Sequence, residues 1–230
     1  MGYKFGMIIT LDGPAGSGKS TAARELAKAL GVAHLDTGAT YRAVTLAALR
    51  RGVDFADEAA LADLTARLDV RLERAGDRLR VLLDGEDVSD QIRSAAVSDN
   101  SHHVAAAPAV RKLLVALQRK MGEELARRTG GVVAEGRDQG SVVFPDAEVK
   151  FYLDAAPQVR AKRRLADLLA AGEQVNYEDV LAAILTRDRR DSTRPVDPMI
   201  KPAGAIEIDT TATSVEQVTA ELVRHVRGAK

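Results

Sequence analysis

Gly13-Pro14-Ala15-Gly16-Ser17-Gly18-Lys19-Ser20 fits the pattern GxxxxGK[ST], and with its flanks it constrains the fold more than any other segment. Before it, Met7-Ile8-Ile9-Thr10-Leu11 is a short apolar, β-branched run that reads as a buried strand. After it, Thr21–Leu30 places Leu26 and Leu30 one helical turn apart, with Gly31 where a C-cap glycine belongs. A strand, a glycine-rich loop and a helix in that order predict a parallel sheet with crossover helices. In such a loop successive backbone N–H groups turn inward around a phosphate, and the helix N-terminus adds the positive end of its dipole. Lys19 then reaches the β- and γ-phosphates, and the Ser20 hydroxyl is placed to ligate Mg²⁺. An ordinary glycine-rich turn would not need every position and both flanks to fit. The chain is expected to bind a nucleoside triphosphate.

Composition narrows the field. The chain has 230 residues, enough for one compact unit or a core with modest inserts. Its 33 basic and 33 acidic residues give no net charge, which weakens any bulk electrostatic case for nucleic acid or a membrane surface. There is no cysteine, so disulfide scaffolds, thiolate metal sites and cysteine nucleophiles are excluded. Four histidines without an HExxH pattern argue against a histidine metal site. No apolar run approaches the roughly 18 residues of a membrane span. Met7–Leu11 is too short for a signal-peptide core, and Gly6 stands where a myristoylation signal needs Ser or Thr. A soluble cytoplasmic α/β protein is expected.

Along the chain, a second helix is expected over Thr40–Arg50, ending near Gly52. Residues 69 to 90 change character, with apolar runs around Ala75-Gly76-Asp77 and Asp84-Gly85 that predict a small antiparallel meander. The α/β rhythm resumes with a long helix over Pro108–Arg128 and strands at Gly131–Ala134, Val149–Leu153 and Ala205–Ile208. Two charged helices are expected at 157–171, with Pro157 in the first turn, and at 177–190, with Asn176 as N-cap. Ser214–Arg227 reads as a closing amphipathic helix.

Three further clusters carry chemistry. In Leu35-Asp36-Thr37-Gly38-Ala39-Thr40-Tyr41-Arg42, Asp36 and Thr37 suit a helix N-terminus, and Arg42 can grip a phosphate bidentately or lie solvated on the helix surface. Val132-Val133-Ala134-Glu135 resembles the acid-terminated strand of energy-coupled ATPases, but Gly136-Arg137-Asp138 follows at once. Arg137 and Asp138 thus stand where an open α/β sheet has its ligand crevice, unless Asp138 only pairs with Arg137. In Arg187–Arg194, ahead of Pro195, a helix would put Arg187, Asp191 and Arg194 on one stripe. Arg160, Arg163 and Arg164 form another basic stripe, and two such helices suit a lid over phosphates. No NKxD guanine reader occurs, which argues against a nucleotide-dependent switch. From the residues alone, kinases for other small acceptors, such as UMP or shikimate, stay open.

Over nearly the whole chain these segments resemble the bacterial cytidylate (CMP) kinases, among the nucleoside monophosphate kinases. The resemblance runs through LDGPAGSGKST at 11–21, LDTGATYRA at 35–43, LDGEDVSDQIR at 83–93, APAVR at 107–111, EGRDQGSVVFPDA at 135–147 and RDRRDSTR at 187–194. It implies a P-loop-type parallel α/β fold with an inserted monophosphate-binding domain, containing a small antiparallel sheet, and a helical lid. The implied division is a core of residues 1–36, 104–155 and 195–230, an insert of 37–103 and a lid of 156–194. The implied reaction passes the γ-phosphate of ATP, with Mg²⁺, to CMP or dCMP. A monomer is implied, with nucleotides and no nucleic acid as partners. By resemblance, Gly13 to Thr21 and the lid arginines Arg160 and Arg164 serve the donor, and Asp36, Thr37 and Tyr41 serve the acceptor. Arg42, Arg137 and Arg194 grip the acceptor phosphate and its transition state, and Lys19 holds the ATP phosphates. Arg111 and Asp138 match the family's cytosine-reading pair, and Arg187 with Asp191 its ribose contacts. The chain departs at His102, where family members usually place a serine that contacts cytosine; Ser101 next to it can restore the hydroxyl, or neutral His102 can itself meet the base edge.

Overall fold

The computed structural model describes residues 6–75, 78–170 and 172–229. In chain order the elements are β1 (Met7–Asp12), α1 (Lys19–Leu30), β2 (Ala33–Asp36), α2 (Gly38–Arg51), α3 (Glu58–Arg67), β3 (Val70–Ala75), β4 (Arg78–Leu83) and β5 (Glu86–Asp87). They continue with α4 (Ala95–Ala106), α5 (Pro108–Thr129), β6 (Gly131–Glu135), β7 (Val149–Asp154), α6 (Pro157–Ala170), α7 (Tyr177–Thr193), β8 (Ile206–Asp209) and α8 (Val215–Gly228). The chain forms two units: residues up to 34 with those from 123 onward, and residues 35–122.

In the first unit the expected parallel sheet is present, with strand order β2-β6-β1-β7-β8. The β1–β6, β1–β7 and β7–β8 pairings are all parallel, and β1 lies in the middle. Ile9, Leu11, Val133, Phe151 and Leu153 pack with Leu26 and Leu30 of α1 and with Val218, Leu222 and Val226 of α8. The last three repeat every fourth residue, so a single stripe of α8 is buried. Ser214 and Gln217 complete a capping box at its start. Asn176 caps α7 as expected, accepting from the Asp179 N–H. Ala161 of α6 and Val180 and Ile184 of α7 form a smaller cluster of their own. Because β1 is flanked by β6 and β7, both parallel to it, the loops after Asp12, Glu135 and Asp154 open on one edge of the sheet.

The second unit has its own core, including Val44, Leu61, Val81, Val88, Ile92, Val104, Val110 and Leu114. Its small sheet, β3-β4-β5, is antiparallel, and β4 and β5 are joined through the expected Asp84-Gly85 turn. Gly76 and Asp77 of the other expected turn, and the expected end of α6 at 171, lie outside the described residues.

Three elements have no counterpart in the sequence reading. β2 is four residues, Ala-His-Leu-Asp, too short and too poor in β-branched residues to signal a strand. α3 and α4 each carry a readable cap: Asp57 accepts from the Ala60 N–H and Ser94 from the Val97 N–H. Among the described residues no helix is long and apolar enough to cross a membrane.

Candidate active site

The loop between β1 and α1 is held by geometry that only its glycines allow. Gly13 has φ 142°, and a Cβ there would sit 2.0 Å from the Leu153 carbonyl oxygen, so nothing larger lets the loop leave β1 beside β7. Two side chains from the α6 side tie the loop's carbonyls. Arg160 donates from Nη1 to Ala15 O at 3.0 Å, and Thr210 Oγ1 to Ser17 O at 2.9 Å. Arg163 in turn donates to Thr210. Tying these carbonyls fixes the loop's backbone ahead of the N-terminus of α1, where a phosphate would be held.

Lys19 is buried and donates from Nζ to Pro14 O at 2.7 Å. Burial, with the Arg137 and Arg187 charges, pulls its pKa well below the ordinary lysine value, and Glu135 and Asp12 act in the opposite direction. Ser20 donates to Glu135 Oε2 at 2.6 Å, and His34 Nε2 lies 3.0 Å from Glu135 Oε1. A hydroxyl beside a carboxylate is a hard oxygen pair, the donor chemistry Mg²⁺ prefers.

Beyond β6 the expected crevice residues come together with the end of α7. Arg137 Nε lies 3.0 Å from Asp191 Oδ2, and Asp138 Oδ2 lies 3.2 Å from Arg194 Nη2. Pro195 does end α7, leaving Arg194 extended at its C-cap. A single π-turn, Gln139–Val143, follows Asp138. Asp12 accepts from its first two N–H groups, Gln139 N at 2.8 Å and Gly140 N at 2.7 Å. Burial raises the Asp12 pKa to about 6, with a smaller push from the Asp138 charge, against the pull of those two hydrogen bonds.

The two lid arginines differ. Arg160 is buried and bonded on three sides, to Ala155 O, Ala15 O and, at 2.6 Å, Asp188 of α7. Arg164 is exposed on α6, as is Arg187 on α7.

In the second unit, Asp36 rather than Thr37 supplies the side-chain cap of α2, accepting from the Ala39 N–H at 3.1 Å. Its other oxygen holds Arg42 Nη2 at 2.7 Å. Gly38 leaves room for that pair, since a Cβ there would meet Arg42 Nη1 at 2.9 Å. Arg42 Nε is buried with no hydrogen-bond partner among the described residues. Arg111 is buried, lies over the Tyr41 ring at 5.7 Å and donates to Ala105 O. Thr37 accepts through its carbonyl from Thr40 and Gln118. Ser101 donates to Ser98 O, and His102 Nδ1 is 2.7 Å from Asp99 O with its ring against His103.

Sequence reasoning passed over Asp12, Asp188 and Thr210. Asp12 was legible: a carboxylate ending an apolar strand in mid-sheet must find buried donors. Asp188 and Thr210 gave no signal, since their partners are distant in sequence.

A glycine-rich phosphate loop at the C-terminal edge of a parallel sheet, with a buried lysine and convergent arginines, defines a P-loop nucleotide-binding protein. The family model for cytidylate kinase matches residues 9–228. A cytidylate kinase of Edwardsiella ictaluri is 47% identical over 220 residues, covering 96% of each chain. One of Pelotomaculum thermopropionicum is 49% identical over 223 residues, again covering 96% of each. This chain belongs to the cytidylate kinase family. In fold it also resembles an uncharacterised protein of Eubacterium ventriosum, with TM-score 0.51 and 13% identity over 96% of this chain and 98% of that one.

Proposed function

We propose that this protein transfers the γ-phosphoryl group of ATP to CMP or dCMP, giving ADP and CDP or dCDP. The observation that carries this reading is family membership over residues 9–228, with the phosphate loop and the arginine–carboxylate crevice both present in that span.

Phosphoryl transfer asks little covalent help of a protein, so positioning and charge neutralisation supply the rate. The loop N–H groups and Lys19 hold the ATP phosphates; burial and the Arg137 and Arg187 charges disfavour the Lys19 ammonium, and the negative charge of the phosphates would favour it again. Ser20, with Glu135 behind it, would hold Mg²⁺, which when bound shields charge on the β- and γ-phosphates. Arg137 and Arg194 neutralise the acceptor phosphate and the transferring group. Arg42 does so with the donor capacity left on its buried Nε. Arg187 and Asp191 hold the ribose. Arg160 braces the loop at Ala15, and Arg164 meets the donor from the lid.

Asp138 and Arg111 read the base. A carboxylate accepts from the exocyclic amine of cytosine, whereas uracil offers a carbonyl there and is repelled. Tyr41, Asp36, Thr37, Ser101 and His102 complete the acceptor side. In this reading residues 37–103 bind the monophosphate, 156–194 form the lid and the remainder is the core. The enzyme works as a cytoplasmic monomer on nucleotides, without nucleic acid.

The test is ADP release with ATP and Mg²⁺ alone, then with CMP, dCMP, UMP, AMP or shikimate. Stimulation by CMP and dCMP far above the others is expected. Hydrolysis indifferent to the acceptor would refute the reading and indicate a nucleotide-dependent switch.

A further inference from the structure

Asp138 is the residue that precedes the Gln139–Val143 π-turn, the position from which an aspartate ordinarily caps its own turn. It makes no such side-chain cap. The first N–H groups of any helical turn need acceptors, and here both are met from another strand: Asp12 gives one oxygen to Gln139 N and the other to Gly140 N. Asp138 is thereby left to turn its carboxylate toward Arg194 Nη2 and the Gln139 side-chain amide, at 3.2 and 3.3 Å. Asp12 is fully buried, and no ion pair to it occurs among the described residues. Burial makes this carboxylate costly to keep, and its two backbone hydrogen bonds offset that cost more than the smaller pull of the Lys19 charge does.

We propose that Asp12 is a positioning residue for base selection: it caps the 139–143 turn in place of Asp138 and so keeps the Asp138 carboxylate on the acceptor side. Without Asp12 the two N–H groups take the nearest carboxylate, which is that of Asp138, and the base reader is lost to its own turn. The neighbouring phosphate loop has separate anchors, Gly13 against Leu153, Ala15 to Arg160 and Ser17 to Thr210, so donor binding should survive. The kinetic half of the proposal rests on the assignment of Asp138 as base reader; the structural half does not.

The experiment measures kcat/KM for CMP and UMP, and KM for ATP, in the wild type, Asp12→Ala, Asp12→Asn, Asp138→Asn and the Asp12→Ala/Asp138→Asn double variant. Asp12→Ala should narrow the CMP/UMP ratio by about tenfold or more while KM for ATP stays within about twofold. Asp12→Asn, which keeps one acceptor oxygen, should fall between. The double variant should be no less selective than Asp138→Asn alone, because both remove the same contact. An unchanged ratio in Asp12→Ala beside a narrowed one in Asp138→Asn overturns the proposal, as does an equal loss toward ATP and CMP. If Asp12→Ala does not fold, Asp12→Asn is judged by the same criteria. If Asp138→Asn leaves the ratio unchanged, the base-reader assignment fails. The crystal structure of the Asp12 variant then decides. Asp138 found on Gln139 N and Gly140 N upholds the cap exchange, and Asp138 still on Arg194 refutes it.

Discussion

Replacing Asp12 by asparagine should remove part of the pH dependence of this protein's stability. Asp12 is fully buried, and its pKa is raised from 3.8 to about 6. In the unfolded chain the carboxyl titrates at its ordinary value, so between the two values the folded state holds a proton the unfolded state has released. Raising the pH through that window favours unfolding; the penalty is absent below the unfolded value and complete above about pH 6. A difference of about two pKa units is worth ~3 kcal/mol, of which about 2 accrue between about pH 4.5 and 7.5. Asp12→Asn abolishes this titration. It also turns an amide N–H toward one backbone N–H, at roughly 1–3 kcal/mol, but that loss does not vary with pH. Urea unfolding of both proteins at the two pH values isolates the effect, since every other group cancels in the difference. The variant should gain about 2 kcal/mol on the wild type between the lower and the higher pH. Curves that stay parallel would show that Asp12 ionises as an exposed carboxylate does, and the argument from burial would fail.

Three other outcomes are expected. Lys19→Met should leave the fold intact and reduce kcat by several orders of magnitude, since losing one donor to a developing charge is worth about 3 kcal/mol or more; near-normal turnover would remove the loop from the donor site. Gly13→Ala should fail to fold, or fold with Tm lowered by 10 °C or more as an order of magnitude, because its Cβ would overlap the Leu153 carbonyl; a thermal melt matching the wild type refutes this. His102 Nδ1 lies 2.7 Å from Asp99 O, which orients the ring on α4, and in the proposed reading that ring meets the base edge. His102→Ser should then raise KM for CMP by about fivefold, the worth of one hydrogen bond, with KM for ATP unchanged. Equal KM values for CMP would make His102 a bystander.

The fold was legible where local chemistry repeats a pattern. β1, α1 and the turn between them were readable because strand, glycines and helix each obey a short-range rule. Gly52, Asn176, Ser214 and Pro195 likewise marked element ends through caps or blocked backbone conformations. β2 escaped because four residues pairing at a sheet edge are defined by their neighbours and by no period of their own. α3 and α4 show a different failure. Their caps, Asp57 and Ser94, were visible, but the segments that follow are short and weakly amphipathic, and the signal was outweighed by the turn-rich residues around them.

The site divides in the same way. Lys19, Ser20, Arg137, Asp138, Asp191 and Arg194 were nominated from sequence because each lies in a dense cluster of charged residues or at the end of a strand. The structure brings them together at one edge of the sheet. What no local pattern contains is the pairing. Arg137 meets Asp191 54 positions away, Asp138 meets Arg194 56 away, and Asp12 meets Gln139 127 away. Arg160 makes the point most sharply. The sequence places it on a basic stripe suited to a lid over phosphates, and the fold adds that it is buried, binding Ala15 O across 145 positions and Asp188 of the adjoining helix. A guanidinium committed on three sides is held in one rotamer, so it fixes the phosphate loop and α7 relative to each other before any nucleotide binds. The sequence identifies which groups carry charge into this cleft. Only the fold determines which of them are spent on holding the others in place.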